Sequence, residues 1–314
     1  MDQAAQCIKN GEVVAFPTET VYGLGADGLN GAAVTKIFVA KGRPADNPLI
    51  LHIADKKEFE RLAGKLTENA KALIDTFMPG PITLIVEKSS LIPDEVTTGL
   101  PTVGIRMPSH PVAAELIRRS GCPIAAPSAN LSGKPSPTNA HDVAEDMNGR
   151  IAGILDGGRC GIGVESTIVD TTTPIPTILR PGGVTREMLE YRLGAVEIDP
   201  ALYGEQAVRP KAPGMKYRHY APKAPMFLYE GPAAAEHLIK AVTAAMKEGH
   251  RLGVLCDQPT AAQLPENADR CVIASWGTSK DDLAERLYNL LRGFDHQEPE
   301  FILGMGVDEQ GLGL

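Results

Sequence analysis

Several features that mark common protein classes are missing from this 314-residue sequence. Its five cysteines form no C-x-x-C pair, which argues against a structural zinc site and against a disulfide framework. No apolar run approaches the ~20 residues that span a bilayer, and the N-terminal segment lacks the apolar core of a secretory signal. We therefore expect free, mostly buried thiols and a cytosolic protein.

Signatures of nucleophilic and P-loop enzymes are missing as well. The sequence has no G-x-S-x-G and no G-x-x-x-x-G-K-[ST]. The segment GLGADG (23–28) fits G-x-G-x-x-G, but PTETVY separates it from the preceding strand, so we predict a turn-rich loop there. The formal net charge is −8, which is atypical of a protein whose main task is to grip a nucleic-acid backbone.

Short apolar segments alternate with helical patterns over the first 200 residues. Asn30 and Thr67 have the character of helix caps and precede amphipathic patterns. Strand-like segments are predicted at 12–16, 48–53, 82–87, 102–107, 123–127, 151–156, 165–170 and 177–182. This mixture predicts an α/β (α+β) fold with a twisted mixed sheet. The long loops at 17–30, 88–101, 128–139 and 157–165 are expected to be functional.

The chain is predicted to contain two domains joined by a linker. The first covers 1–200, and residues 201–224 are rich in proline and have no long apolar run. Beyond them, four apolar segments alternate with helical patterns, which predicts a small α/β domain with a parallel, Rossmann-like sheet over 225–314.

Basic side chains gather in KGRPADNPLILHI (41–53). Lys41 and Arg43 follow a helix, and two cations there can simply complement the helix dipole. A proline-stiffened loop with Lys41, Arg43 and Asn47 also suits phosphate oxygens, which arginine binds bidentately and lysine binds as a point charge. The sequence leaves both interpretations open.

Two further arginines, Arg106 and Arg180, end short apolar strands. A charge at such a position is costly unless it is paired, so each is expected to meet a carboxylate or an anionic ligand. Small hydroxylated residues follow another strand in APSANLSGKPSPT (126–138), where backbone N–H groups can approach phosphate. A similar pair, Ser166 and Thr167, opens the segment ESTIVD.

The predicted linker has an unusual composition. Residues 206–223 hold five cations and no acid, with Tyr217, His219 and Tyr220 among them. A passive spacer does not need this composition. The segment is suited to contact RNA or to close over a nucleotide as a lid.

Seven motifs occur in the order found in the YrdC-type threonylcarbamoyl-AMP synthases, and the chain resembles the long, two-domain form of that family. They are PTETVYGLG, KGRPADNPL, PTVGIRMP, APSANLSGKPSPT, ESTIVD, ILRPGG and PGMKYRHYAP. The resemblance implies a YrdC-like catalytic domain with a large positive cavity. It also implies synthesis of threonylcarbamoyl-AMP and pyrophosphate from L-threonine, bicarbonate and ATP, a nucleotidyl transfer with Mg²⁺ as cofactor.

The resemblance also assigns residues, motif by motif. Threonine is expected at Thr20, His52, Arg106, Ala126 and Ser166. ATP is expected at Lys41, Arg43, Asn47, Thr102, Ser128, Ser136 and Arg180, with Tyr217 and His219 closing over it. Lys41 and Arg43 are the expected catalytic residues, and no protein ligand of the metal is implied.

The family's product feeds the tRNA threonylcarbamoyl transferase machinery, which modifies the adenosine next to the anticodon. We therefore expect that machinery as the downstream partner, with weak or no direct tRNA binding and no membrane association. Two alternatives stay open: a tRNA-binding module, and a carbamoyl-adenylating transferase with another acceptor. Two departures from the family are Ala212 in place of a serine and the end at GLGL, where members usually continue into a closing helix.

Overall fold

In the computed structural model the chain is described over residues 1–203, 221–265 and 270–313. These residues belong to two compact units, one on either side of the segment 204–220. The predicted linker 201–224 therefore lies largely outside the described residues, and the predicted domain boundaries stay predictions.

The first unit is built on one large mixed sheet. Its described strands are β1 Val14–Phe16, β2 Gly23–Asp27, β3 Ile50–His52, β4 Ile82–Glu87, β5 Thr102–Arg106, β6 Ile124–Ala126, β7 Gly153–Ile154, β8 Thr167–Asp170, β9 Thr177–Arg180 and β10 Glu197–Ile198. They are ordered β10-β9-β8-β4-β5-β3-β6-β2-β1-β7. The sheet contains both parallel pairs, such as β3 with β5, and antiparallel pairs, such as β4 with β5, which confirms the predicted mixed sheet.

Helices flank this sheet. They are α1 Asp2–Lys9, α2 Gly31–Lys41, α3 Glu58–Leu62, α4 Glu68–Phe77, α5 Asp94–Thr97, α6 Pro111–Ser120, α7 Ala140–Met147 and α8 Arg186–Leu193. The predicted caps are confirmed, because the side chain of Asn30 accepts from Ala33 N and that of Thr67 accepts from Ala70 N. Each cap satisfies one backbone donor that the first helical turn leaves unpaired.

The two faces of the sheet differ in what they bury. Leu51, Leu84 and Ile105 belong to the main hydrophobic core. On the opposite face, Ile50 and Ile85 form a much smaller buried cluster with Ile168 and Leu179. Because side chains alternate along a strand, polar residues next to this small cluster share its face. That face carries most of the predicted site.

The first five residues of GLGADG, Gly23–Asp27, form strand β2 rather than the predicted turn-rich loop. A Cβ built on Gly25 would lie 2.7 Å from the Phe16 ring, and one on Gly28 would lie 2.4 Å from Leu51. These two glycines are therefore explained by close packing of β2 against its neighbours. Phosphate binding is not needed to explain them.

The second unit has a parallel sheet with the strand order β11-β14-β12-β13. Its described elements are β11 Met226–Tyr229, α9 Ala234–Glu248, β12 Leu252–Cys256, α10 Gln258–Ala261, β13 Cys271–Ser275, α11 Lys280–Gln297 and β14 Phe301–Met305. This is the small parallel α/β arrangement that the sequence predicts. Among the described residues, no helix combines the length and apolar character needed to cross a bilayer.

Candidate active site

Strand pairing brings most of the predicted threonine residues to one end of the central strands, here named the Arg106 end. His52 and Arg106 end the parallel strands β3 and β5 and lie opposite each other. Ser166 directly precedes β8, whose first residue lies opposite Ile82 at the start of β4. Arg180 ends β9 opposite Ile168. Residues far apart in sequence therefore meet because five adjacent strands share this end.

The predicted ATP residues divide between the two ends of these strands. Thr102 begins β5 and shares a face with Arg106, about 13 Å away at ~3.3 Å per residue. Asn47 lies just before β3, and Ser128 forms an isolated bridge with Gly23. These residues define the Thr102 end. Arg180, in contrast, lies at the Arg106 end, beside Ser166.

His52 is buried and uncharged at the Arg106 end. Its Nδ1 lies 3.2 Å from the Ile50 carbonyl oxygen, and its ring meets the Phe16 ring edge-on at 5.9 Å. Burial, with a smaller contribution from the Arg106 charge, lowers the pKa of His52 to about 3. Near neutral pH the imidazole therefore offers hydrogen bonds to a ligand without a charge.

Ser166 is held by two neighbours. Its hydroxyl lies 2.8 Å from Thr83 Oγ1, and Arg180 Nη2 donates to its carbonyl oxygen at 2.9 Å and to its hydroxyl at 3.2 Å. Arg180 was expected to meet a carboxylate or an anionic ligand, and the contacts that the structure records for it are with Ser166. Thr83 was missed from the sequence, although a polar residue inside ITLIVE is a signal.

Arg106 meets a carboxylate, as expected. Its Nη2 lies 2.7 Å from Glu19 Oε1, and only 5% and 12% of the two side chains are exposed. The contact is short but poorly aligned for a hydrogen bond. Both oxygens of Glu19 and both Nε and Nη2 of Arg106 are buried without a hydrogen-bond partner in the described part of the chain.

The loop that carries Glu19 and Thr20 is tightly organised. Thr18 Oγ1 accepts from the N–H groups of Thr20 and Val21 and lies 2.9 Å from Thr20 Oγ1. The backbone N–H of Ile162 donates to Glu19 O at 2.9 Å. These bonds fix the loop 17–22 against the loop 157–165, so Thr20 is fully buried beside the site.

Lys41 ends α2 and anchors the loop that follows β6. Its Nζ donates to the carbonyl oxygens of Ser128 and Asn130, the latter at 2.6 Å, and to Asn130 Oδ1 at 3.3 Å. Ser128 Oγ donates to the same Oδ1 at 2.5 Å. Ala126, a predicted threonine residue, lies opposite Ile50 at the end of β6, where this loop begins. Lys41 therefore shapes the loop at the Thr102 end.

Arg43 organises its own loop. Its Nε donates to Asn47 O at 3.1 Å and its Nη2 to Pro48 O at 2.9 Å. The buried Asn47 Oδ1 has no hydrogen-bond partner within the residues that the structure describes. A buried amide oxygen without a partner is costly and is satisfied when a ligand donates to it.

Ser136 lies close to the Arg106 end, where it makes a contact that the sequence did not suggest. Its hydroxyl donates to Glu165 Oε1 at 2.6 Å, and both residues are buried. Glu165 immediately precedes Ser166, so this bond ties the loop 128–139 to the start of β8. The two remaining predicted site residues, Tyr217 and His219, lie outside the described residues.

The five cysteines are free, as expected. Cys160, in the glycine-rich loop, is buried, and burial raises its pKa to about 12. It is therefore a protonated thiol near neutral pH and a poor nucleophile.

Comparisons with known proteins agree over the whole chain. The Sua5/YciO/YrdC family, described as telomere recombination, matches residues 6–182, and the C-terminal domain of threonylcarbamoyl-AMP synthase matches 184–314. The chain is 50% identical to the threonylcarbamoyl-AMP synthase of Bacillus subtilis and 49% identical to that of Pyrococcus abyssi, covering 99% of this chain and 89% and 90% of those proteins.

A solved structure of Pyrococcus abyssi Sua5 in complex with L-threonine matches with a TM-score of 0.93 at 47% identity, covering 99% of this chain and 90% of that one. Escherichia coli YciO matches with a TM-score of 0.52 at 24% identity over 58% of this chain and 88% of that one, and shares the fold of the first unit. The chain therefore belongs to the threonylcarbamoyl-AMP synthase family.

Proposed function

We infer that this protein joins L-threonine, bicarbonate and ATP into threonylcarbamoyl-AMP and pyrophosphate. The observation that carries this inference is the cluster of His52, Arg106 and Ser166 at one end of the central strands. Thr102 and the loop residues Asn47 and Ser128 lie at the other end. One end suits an amino acid and the other suits a nucleotide, on a shared face of the sheet. A relative of high structural similarity has been solved with L-threonine bound.

The reaction does not need an enzyme nucleophile. The neutral threonine amine attacks the carbon of bicarbonate, and the bicarbonate hydroxyl leaves with a nitrogen proton as water to give a carbamate. A carbamate oxygen then attacks the α-phosphorus of ATP. The bond from the α-phosphorus to the bridging oxygen breaks and pyrophosphate leaves, which makes the enzyme a nucleotidyltransferase. Positioning and neutralisation of phosphate charge are the main sources of acceleration in such steps.

At the amino-acid end we assign the carboxylate of threonine to Arg106, since its Nε and Nη2 are buried without aligned partners. A guanidinium binds a carboxylate through two parallel hydrogen bonds. We assign polar contacts to His52, which is neutral near pH 7, and to Ser166, whose hydroxyl is oriented by Thr83 and Arg180. We also assign the buried Thr20 to threonine, whereas Ala126, at the Thr102 end of the same face, stays a sequence-based proposal.

At the nucleotide end the proposed ATP contacts are Asn47, Thr102 and Ser128. We propose that Lys41 and Arg43 act there both as positive charges and as anchors, since both donate to carbonyl oxygens of the loops that carry Ser128 and Asn47. We place Ser136 and Arg180 nearer to threonine, where they can face the reacting phosphate. Tyr217 and His219 stay sequence-based proposals.

Magnesium is proposed to enter with ATP rather than through a protein site. Within the described residues, the group of acidic and histidine side chains close enough to hold a metal ion is His141, Asp142 and Glu145, on α7. The proposed ATP residues offer mainly cations, hydroxyls and amides, a donor set that suits phosphate better than a divalent cation. Mg-ATP is therefore the proposed substrate.

The proposed downstream partner is the machinery that transfers the threonylcarbamoyl group to tRNA. Weak direct tRNA binding is supported by the net charge of −8. The cytosolic location stays a prediction from the sequence.

Substrate dependence tests the proposed function. Purified protein with Mg-ATP should release pyrophosphate when threonine and bicarbonate are both present, and omission of either should reduce release to background. Release of orthophosphate, or release that does not depend on threonine, would contradict it. Activity with carbamoyl phosphate in place of threonine and bicarbonate would favour the alternative with another acceptor.

A further inference from the structure

Glu19 is a charged residue of the site that the proposed function has not used. It lies in the loop 17–22, and its carboxylate oxygens are buried beside Arg106 without a hydrogen-bond partner in the described part of the chain. A buried ion pair is expensive to desolvate and is normally compensated by well-aligned hydrogen bonds. Here the alignment is missing on both sides, although the charges are in contact.

The position of Glu19 is fixed before any ligand arrives. Thr18 Oγ1 closes the turn by accepting from two backbone N–H groups, and Ile162 N donates to Glu19 O. Groups held in this way are preorganised for a ligand. The loop therefore holds the Glu19 carboxylate in a fixed position in which its oxygens have no hydrogen-bond partner among the described residues.

An α-amino acid carries the two charges that complement this pair. Its carboxylate can accept from Nε and Nη2 of Arg106, and its ammonium can donate to the oxygens of Glu19; among the described residues these four atoms have no hydrogen-bond partner. Binding the zwitterion would add no net charge to a buried site. It would also give Arg106 and Glu19 the well-aligned hydrogen bonds that they lack in the free protein. The pair is thus complementary to a whole amino acid and not only to its carboxylate.

We propose that Glu19 receives the α-ammonium group of threonine while Arg106 holds the carboxylate, and that Glu19 takes the proton that this nitrogen must lose. This inference rests on the proposed function. One ammonium proton passes to the Glu19 carboxylate, which leaves a neutral amine. The amine lone pair forms the C–N bond with bicarbonate, and the bicarbonate hydroxyl leaves with the second nitrogen proton as water. The product is the carbamate anion.

The other titratable groups near Glu19 keep the same charge over a range of pH in which the role of Glu19 can be tested. Arg106 faces it from β5, His110 from the start of α6, and Cys160 from the loop 157–165. Burial lowers the pKa of His110 below its ordinary value and raises that of Cys160 to about 12. Between pH 7 and pH 9 neither group changes charge, so a change of rate in that window reports on the amine.

Binding calorimetry with two analogues separates the roles of the two charges. 2,3-Dihydroxybutanoate keeps the carboxylate and lacks the ammonium, and threoninol keeps the ammonium and lacks the carboxylate. Wild-type protein should prefer threonine over each by at least ~10-fold, the order of a charge-assisted hydrogen bond. Glu19→Gln should lose the preference over dihydroxybutanoate and keep the preference over threoninol. Arg106→Gln should show the reverse.

Pyrophosphate release gives the second readout. With Glu19→Gln the rate should rise roughly tenfold per pH unit from pH 7 towards the pKa of the amine, since only free amine reacts, whereas the wild type should be much flatter. Glu19→Asp keeps the carboxylate and should retain part of the flat profile. If Glu19→Gln keeps the wild-type ligand preference and pH profile, Glu19 only neutralises Arg106 and the inference is wrong. Failure of the wild-type protein to bind threonine would instead contradict the proposed function itself.

Discussion

Single residues at the Arg106 end combine burial with polarity, and His52 is the strongest case. The residue is 4% exposed, its ring meets the Phe16 ring edge-on, and the positive charge of Arg106 acts on it. A buried histidine next to a cation is kept neutral by both surroundings. Folding therefore stabilises the uncharged form, which makes the stability of the protein depend on pH.

His52→Gln should reduce the acid sensitivity of the fold. The unfolded histidine takes up a proton below about pH 6.5, whereas the folded one resists protonation down to about pH 3. The unfolded state thus binds more protons as pH falls, and this residue alone lowers the free energy of unfolding by about 2 kcal/mol between pH 7 and pH 5. Denaturant unfolding of both proteins at the two pH values measures the difference. The exposed His141→Gln is a matched control that should behave like the wild type, and an unchanged loss in His52→Gln would contradict the assignment.

Thr83 is predicted to act on threonine binding through Ser166. Thr83→Val keeps the shape and removes the hydroxyl that lies 2.8 Å from Ser166 Oγ. We expect a loss of about 1 kcal/mol in the free energy of unfolding and a several-fold weaker affinity for L-threonine, measured by calorimetry. Thr83→Ser restores the hydroxyl and should recover most of the affinity. Equal affinities in the valine variant and the wild type would show that Ser166 does not need this contact.

The sequence identifies several of the proposed site residues but not the contacts that they make, for physical reasons. A strand-end arginine such as Arg106 can be expected to need a carboxylate from the cost of burying it alone. That Glu19 provides this carboxylate depends on how the loop 17–22 folds back over β5, and no local pattern encodes this. Likewise, Lys41 was identified as a cation at a helix end, while its three contacts with the loop after β6 arise from tertiary packing.

At the scale of elements, the strands were predicted better than the helices. The segments 82–87 and 102–107 correspond closely to β4 and β5, because short apolar runs between turn residues are a direct signal. The helices α6, α7 and α8 were not predicted. Their signals were present, since Pro111 occupies the first turn of α6 and Gly121 ends it in the left-handed conformation.

The chain directly after β9 passes close to the start of β8, and this approach requires a glycine at position 182 for a reason that the sequence alone does not show. A Cβ on Gly182 would lie 2.2 Å from the Glu165 carbonyl oxygen and 2.7 Å from Thr167 N. The backbones therefore approach too closely for any side chain. This approach holds Ser166 against the end of β9.

Gly182→Ala should displace the start of β8 and disturb the site. We expect a loss of about 1–3 kcal/mol in the free energy of unfolding, which is typical of overpacking, together with clearly weaker threonine binding. Gly161→Ala is the matched control, because nothing lies within 4 Å of a Cβ at that position. Chemical unfolding and calorimetry measure both effects. Wild-type behaviour of Gly182→Ala would show that the backbone there can shift at little cost.

At the scale of the whole molecule, the four cations that we propose for substrate binding all lie in the first unit of an acidic protein. The net charge is −8, yet Lys41, Arg43, Arg106 and Arg180 all belong to the first unit and all contact its loops and strand ends. Fixed, buried or half-buried cations attract anionic substrates without a basic surface. This distribution favours small anions over a nucleic-acid backbone, and the lid formed by the basic segment 206–223 stays a prediction.

Direct identification of the product tests the central claim most sharply. The protein should be incubated with Mg-ATP, L-threonine and ¹³C-bicarbonate, and the nucleotides analysed by mass spectrometry. The account predicts threonylcarbamoyl-AMP carrying one ¹³C, formed in equal amount with pyrophosphate and missing when threonine is replaced by 2,3-dihydroxybutanoate. An adenylate without the label, or a labelled adenylate formed equally well without threonine, would contradict it.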